Sequence, residues 1–98
     1  MSPEAWTLPW EEAREGLLVH RDRRVVYLNP AAAELLAVDR EKVRGLPLIL
    51  ALRDHRLEAL ALKGGEAVLE VRGRVLAARA RPGLLYLLAV TEARRRGL

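Results

Sequence analysis

Few side chains in this sequence could take part in catalysis or in metal binding. The 98 residues include no cysteine and two histidines, His20 and His55. Without cysteine the chain can form neither a disulfide framework nor a thiolate metal site, and it has no thiol nucleophile. The two histidines have no third ligand at a recognisable spacing, which argues against zinc. Since no nucleophile and base stand together either, we predict no enzymatic activity and no metal site.

The glycine pair Gly64-Gly65 invites comparison with a phosphate-binding loop. It lacks the Lys-Ser/Thr that follows the glycines of a P-loop, and it precedes a strand-like segment. We therefore interpret it as the end of a helix.

The basic charge balance raises the question of nucleic-acid binding. Seventeen basic and thirteen acidic residues give a net charge of +4. The arginines are dispersed, and many lie beside acids, as in 21–24 and 39–42. Aromatic residues make up 4% of the chain, too few for a base-stacking surface. We therefore predict no nucleic-acid partner and a solvated, ion-pair-rich surface. The near absence of asparagine, cysteine and methionine fits a thermophilic or GC-rich source.

Length and composition predict one folded domain. Hydrophobic residues make up 51% and charged residues 31% of the sequence, which is the balance of a globular protein. No apolar run approaches the roughly 20 residues of a membrane span, and the first residues do not resemble a signal peptide. We expect a cytoplasmic location.

The first fifteen residues predict a short helical preface. Pro9 should restart the helix at Trp10, and Gly16 should end it. We expect Trp6 and Trp10 to cover apolar surface, either by packing within the chain or in a dimer contact.

Two short β-prone runs, 17–20 and 25–28, predict a hairpin. Asn29 then predicts a helix N-cap, with Pro30 in the first turn of a helix that runs to Leu36. Asp39 predicts the cap of a second short helix, which Gly45 ends.

The second half of the chain predicts one more helical region followed by strands. Residues 48–63 form the helical region, with Asp54 as a candidate cap. From Leu69 onward apolar and charged residues alternate, as in half-buried strands. The run 84–90 is apolar on both faces, which is typical of a central strand. The pattern predicts an α+β fold, an antiparallel sheet with short helices on one face.

Three stretches resemble a PAS sensor domain: Gly16-Leu17-Leu18-Val19, Val25-Val26-Tyr27-Leu28-Asn29-Pro30-Ala31-Ala32 and Val90-Thr91-Glu92-Ala93-Arg94-Arg95. The resemblance covers residues 16 to about 95 and implies a five-stranded sheet in the order 2-1-5-4-3. The segments 52–57 and 75–80, with Thr91-Glu92, are similar to the PAS domain of phosphate-regulon sensor histidine kinases.

Two positions depart from the family pattern. Ala37 stands where a glycine often follows the first inserted helix. Ala89 stands where family members commonly carry an aspartate that helps couple the last strand to the output helix.

The resemblance implies a domain organisation and a function. Residues 1–15 form the preface, 16–91 the PAS domain, and 92–98 the start of a connecting helix toward an absent output domain. The implied function is a sensor or signal-relay and dimerisation module of a bacterial two-component histidine kinase, on the cytoplasmic side of the membrane. Its partners are a second copy and the kinase domain of the parent chain, and Thr91 and Glu92 transfer the signal. The alternative is a stand-alone receptor for a small molecule or cofactor.

The predicted sites follow from these patterns. A ligand pocket between sheet and helices would be lined by Leu48, Leu52, Leu57, Leu60, Leu76 and Ala78, although a filled leucine core explains the same pattern. We expect no cofactor: His55, the candidate haem ligand, lies opposite the apolar stripe of its helix, and flavin photochemistry of the PAS type needs a cysteine. We interpret Asn29 first as a helix cap and only second as a ligand contact. The dimer-face candidates are Trp6, Trp10, Leu17, Val19 and Tyr86.

Overall fold

Five strands form one antiparallel sheet in the order β2-β1-β5-β4-β3. The computed structural model describes residues 5–90. Its elements are a 3-10 turn (Ala5–Thr7), α1 (Leu8–Glu11), β1 (Gly16–Arg21), β2 (Arg24–Leu28), α2 (Pro30–Leu36), α3 (Arg40–Val43), α4 (Leu48–Leu52), α5 (His55–Lys63), β3 (Gly65–Val71), β4 (Arg74–Arg81) and β5 (Leu84–Ala89). The predicted α+β fold is confirmed, and β5 is the central strand. Thr91, Glu92 and the predicted connecting segment 92–98 lie outside the described residues.

The hydrophobic core lies between the inner face of the sheet and the helices α2 to α5. Alternate residues of the strands point inward, where they meet leucines of the helices. The largest side chains with no exposed surface are Leu18, Leu36, Leu48, Leu52, Leu57, Leu76, Leu85 and Leu87. Burying one leucine contributes about 1.5–3 kcal/mol, so this cluster is the main source of stability.

The predicted helical region 48–63 is two helices, and the prediction of one is wrong. Arg53 ends α4 in the left-handed conformation, with φ of 52°. The next residue, Asp54, is extended, and its carboxylate accepts hydrogen bonds from the backbone N–H groups of Arg56 and Leu57. A cap of this kind starts a new helix. Four helices therefore connect β2 to β3, one more than predicted.

Gly16 has a different role from the predicted helix stop. The helix α1 already ends at Glu11, and Gly16 is the first residue of β1. A Cβ atom at this position would lie 2.9 Å from the Cα of Ala32 in α2. Glycine is needed here because the strand and the helix approach so closely.

Pro9 does not interrupt the N-terminal helix either. It lies in the first turn of α1, which begins at Leu8, two residues before the predicted restart. A proline is tolerated there because the first N–H groups of a helix have no partner within the helix.

The β1–β2 hairpin has a two-residue turn without glycine. Asp22 and Arg23 both have positive φ, 54° and 62°, which is the conformation that a type I′ turn requires. The sequence lacks the Asn-Gly or Asp-Gly pair that usually signals this turn.

No helix in the part of the chain that the structure describes is both long and apolar enough to cross a membrane.

Candidate functional site

Residues 5–15, the N-terminal strap, lie on the outer face of the sheet. The ring of Trp6 meets Tyr27 edge-on, with centroids 5.2 Å apart, and Trp10 lies 6.0 Å from Tyr86. Leu17, which pairs with Tyr86 across β1 and β5, is 2% exposed. The strap therefore covers the outer face along β2, β1 and β5.

A polar cluster, the Glu11 latch, joins the strap to the domain. The Glu11 carboxylate accepts hydrogen bonds from the Tyr27 hydroxyl at 2.5 Å and from both terminal nitrogens of Arg40 at 3.1 and 2.8 Å. The Nε of Arg40 donates to the carbonyl of Leu28 at 2.7 Å. These bonds hold the guanidinium in a bidentate geometry, the strongest form of this ion pair.

The environment of the latch shifts the pKa values of Glu11 and Tyr27. The hydrogen bonds from Tyr27 and Arg40 lower the pKa of Glu11. Burial, together with the bond to Glu11, raises the pKa of Tyr27. Both shifts favour an ionised Glu11 and a neutral Tyr27 near neutral pH.

Asn29 connects the strap, β1 and α2. Its side-chain oxygen accepts hydrogen bonds from the N–H groups of Ala32 and Leu17, both at 2.9 Å. Its side-chain nitrogen donates to the carbonyls of Trp10 and Glu15, at 2.8 and 2.9 Å. The predicted helix cap is present. The link to the strap was not predictable, since it depends on how the first fifteen residues cross the sheet.

Arg79 holds the end of the strap from the neighbouring strand. Its guanidinium donates to the Glu15 carboxylate at 3.0 Å and lies over the ring of Tyr86, 4.8 Å from its centroid. The strap is therefore attached to the domain by the carboxylates of Glu11 and Glu15 and by the two backbone carbonyls that Asn29 binds.

The five dimer-face candidates do not form one open surface. Trp6 is 43% exposed, and Trp10, Val19 and Tyr86 are half-buried. Leu17 is covered by the strap and is not presented to a partner, which corrects its place in the predicted face. The sequence pattern showed that Leu17 points outward from the helices but not that the chain folds back over it.

The six pocket candidates come together between α4, α5 and β4. Five are buried in the hydrophobic core, and Leu60 is half-buried against it. This arrangement agrees with the filled-core interpretation of the pattern. Ligand binding at these residues stays a prediction.

An open groove of about 860 Å³ lies elsewhere, beside the end of β5. Residues from the strap, α2, the start of β4 and the end of β5 line it, and none is a predicted pocket residue. Its charged groups are Arg14, Glu34 and Arg74. This groove could not be predicted from the sequence because its walls come from four separate segments.

The two histidines have different surroundings. The side chain of His55 is 91% exposed, and its Nδ1 lies 3.8 Å from the Glu58 carboxylate. His20 is half-buried on β1, near the Ala61 carbonyl, and its Nε2 is buried without a hydrogen-bond partner. Burial lowers the pKa of His20. Among residues 5–90 no three His, Asp or Glu side chains are grouped as metal ligands would be.

Comparison with known proteins identifies the fold of the chain. No family model matches the chain, and no curated protein does. Three solved structures that it resembles are a domain of an HTR-like protein from Haloarcula marismortui, the PAS domain of nitrogen regulation protein NR(II) from Vibrio parahaemolyticus, and the PAS domain, in complex with ethanol, of a LuxR-family transcriptional regulator from Burkholderia thailandensis.

The resemblance extends over most of each chain at low sequence identity. In the same order, the identities are 14%, 17% and 14%, and the TM-scores are 0.55, 0.56 and 0.51. The matches cover 80%, 89% and 92% of this chain and 99% of each of the others. With the strand order β2-β1-β5-β4-β3 and the helices on one face, they show that this chain has the PAS fold.

Proposed function

We propose that this domain is a signal-relay and dimerisation module of a bacterial two-component sensor histidine kinase of the phosphate-regulon type. In this proposal catalysis resides in the kinase domain of a longer parent chain, on the cytoplasmic side of the membrane. The observation that carries the proposal is the attachment of the strap to both the sheet and the helices through Asn29.

Asn29 makes the strap and the core move together. A shift of α2, caused by a change in the core, moves the Asn29 side chain and with it the carbonyls of Trp10 and Glu15. The strand β1, which Asn29 also contacts, pairs directly with β5. A change on either face of the sheet therefore reaches the end of β5, where Thr91 and Glu92 follow. Two alternative packings of the strap would supply the two states that a relay requires.

The dimer contact in this proposal is the outer surface of the strap with its surroundings. Trp6 is the most exposed aromatic residue of the predicted dimer face, and aromatic residues are enriched at the centres of protein interfaces. Two copies related by a two-fold axis would each contribute the same patch.

Sedimentation velocity over a range of concentrations tests this proposal. We expect a dimer and expect Trp6→Ala to weaken it about tenfold or more, since interface tryptophans are common hot spots. Leu50→Ala is the matched control, because Leu50 is 53% exposed on α4, on the helical side of the sheet. A chain that stays monomeric at every concentration, or equal effects of the two substitutions, would contradict the dimer proposal.

The groove beside β5 supports the alternative, a stand-alone receptor. It combines apolar walls with Arg14, Glu34 and Arg74, the composition that small-molecule sites usually have. The LuxR-family PAS domain that the chain resembles was solved with ethanol. Native mass spectrometry of the purified protein distinguishes the two functions: a retained small molecule supports the receptor, and an apo dimer supports the relay.

A further inference from the structure

Three residues other than glycine adopt left-handed backbone conformations at one corner of the molecule. Ala37 follows α2 with φ of 57°, Arg53 follows α4 with φ of 52°, and Arg72 lies in the β3–β4 turn with φ of 50°. Each conformation is disfavoured for a residue that carries a Cβ atom. Hydrogen bonds from Arg53 to Ala37 and from Arg72 to Arg53 bring the three together. Such strain is concentrated at functional sites more often than elsewhere.

The two arginines of this corner are held in place by carbonyl groups. Arg72 donates to the carbonyl of Leu36 at 2.9 Å and to that of Leu52 at 3.1 Å. Arg53 donates to the same Leu36 carbonyl at 3.2 Å and to that of Ala37 at 3.1 Å. Two guanidinium groups thus share one acceptor, the carbonyl of Leu36. Carbonyl groups orient the two positive charges but do not neutralise them.

The nearby carboxylate is already committed to other groups. Asp54 caps α5 and binds Arg56 through two hydrogen bonds, at 2.8 and 3.2 Å. Among residues 5–90, neither Arg53 nor Arg72 forms an ion pair with a carboxylate. Burial and, to a smaller extent, the charge of Arg53 lower the pKa of Arg72, and the charge of Asp54 opposes them only in part. An external anion would relieve this repulsion.

A third arginine extends the same corner. Arg74 follows the β3–β4 turn and donates to the carbonyl of Glu34 in α2 at 3.2 Å. It also has no carboxylate ion pair within the described residues. We name Arg53, Arg72 and Arg74 the arginine corner.

We propose that the arginine corner binds a phosphate group, either inorganic phosphate or a phosphate monoester. The guanidinium fork matches the spacing of phosphate oxygens, and bidentate pairs of this kind are among the strongest hydrogen bonds in proteins. Arg74 uses only its Nη1, so its fork of Nε and Nη2 has no partner among residues 5–90 and is free to bind the phosphate. The Nη2 of Arg53 is occupied by carbonyls, but its Nε and Nη1, on different edges of the guanidinium, have no partner among these residues and can each donate a single charge-assisted hydrogen bond. The three arginines all bond carbonyls at the ends of α2 and α4, and so small a group favours a small anion over a nucleic acid. This inference is independent of the proposed relay function.

Nuclear magnetic resonance of the arginine side chains tests the proposal on the intact chain. The Nε–H signals of Arg53 and Arg72 are followed while inorganic phosphate is added, with sodium chloride at matched ionic strength as the reference. We expect saturating shifts with phosphate and a dissociation constant on the order of 1 mM, the affinity of a few charge-assisted bonds. Equal shifts with chloride, or the absence of a shift with both phosphate and phosphoserine, would overturn the proposal.

The phosphoserine titration separates the two sources of the phosphate group. Saturation with both compounds assigns the corner to phosphate in general, and saturation with phosphoserine alone assigns it to monoesters.

A matched pair of variants localises the binding. Arg53→Gln should weaken phosphate binding about tenfold, since it removes one positive charge and a charge-assisted hydrogen bond. Arg23→Gln, in the exposed β1–β2 turn, removes the same charge elsewhere and should leave the affinity unchanged. Arg53 is preferred to Arg72 for this test because Arg72 also bonds the ends of two helices, and its loss could unfold the chain. Equal affinities of the two variants would contradict the proposed location.

Discussion

Asn29 is completely buried and uses both ends of its amide. We expect Asn29→Ala to lower the free energy of unfolding by about 3 kcal/mol, because it removes a helix cap and leaves the N–H of Leu17 without a partner. Urea denaturation of the two proteins measures the difference. Asp39→Ala, which removes an exposed cap from α3, is the control and should cost about 1 kcal/mol. Equal losses would show that the strap and β1 gain nothing from Asn29.

Ala37 has a left-handed backbone conformation that is strained for alanine and unstrained for glycine. We expect Ala37→Gly to raise the free energy of unfolding by about 0.5–1 kcal/mol, because the left-handed residue after a helix is usually glycine. The same substitution at Ala31, inside α2, should lower stability by about 1 kcal/mol. Thermal denaturation of both variants gives the sign. A loss of stability in both would mean that the Ala37 methyl group has packing contacts that outweigh the strain.

At the scale of elements, the strap is the part of the fold that pH should control. The pKa of Glu11 is lowered in the folded state, so its contribution is complete above the unfolded pKa of about 4.3 and is lost as pH falls through the folded value. The pKa of Tyr27 is raised, so its contribution is complete below about pH 10 and is lost at higher pH. We expect the strap to be held most firmly between these limits.

Both tryptophans lie in the strap, so fluorescence reports its state directly. We expect a change in emission below about pH 4.3 that precedes global unfolding followed by circular dichroism. Glu11→Gln should lower stability at pH 7 by about 0.5–1 kcal/mol, since the ion pair is partly exposed. The variant should also lose the acid transition in fluorescence. Glu12→Gln, one residue further along, is the control, and an acid transition that persists in Glu11→Gln would contradict the role of the latch.

The central place of the last strand could be predicted from the residue pattern and the strand order from the resemblance, whereas the contacts of the strap could not be predicted. The run 84–90, apolar on both faces, indicates the central strand, because a strand that is covered on both sides needs an apolar side chain at every position. The helix caps at Asn29, Asp39 and Asp54 could also be predicted, because each cap bonds backbone N–H groups only two or three residues further along the chain. The covering of Leu17, the Glu11 latch and the arginine corner depend on residues far apart in sequence, for which no periodicity exists. The break at Arg53 could not be predicted because a left-handed arginine has no signature in the sequence.

For the molecule as a whole, the central strand should be the most stable part. The strand β5 is hydrogen-bonded on both sides, to β1 and to β4, whereas β2 and β3 are edges. We expect the slowest amide hydrogen exchange in β5, at least about 100-fold slower than in β3, because its amides open only with global unfolding. Hydrogen exchange followed by mass spectrometry measures this. Equal protection of β3 and β5 would indicate that the sheet opens as one unit.

The pairing of the first strand with the last also determines how the domain would respond to mechanical force. Gly16, at the start of β1, lies opposite Leu87, near the end of β5, so the chain enters and leaves the sheet at the same end. A pull on the two ends would load the hydrogen bonds between β1 and β5 one after another, as in opening a zipper, and not all together as in shearing. Once the strap has been removed, the domain should therefore yield at low force, and it should yield first between the two strands that connect its core to neighbouring parts of a chain.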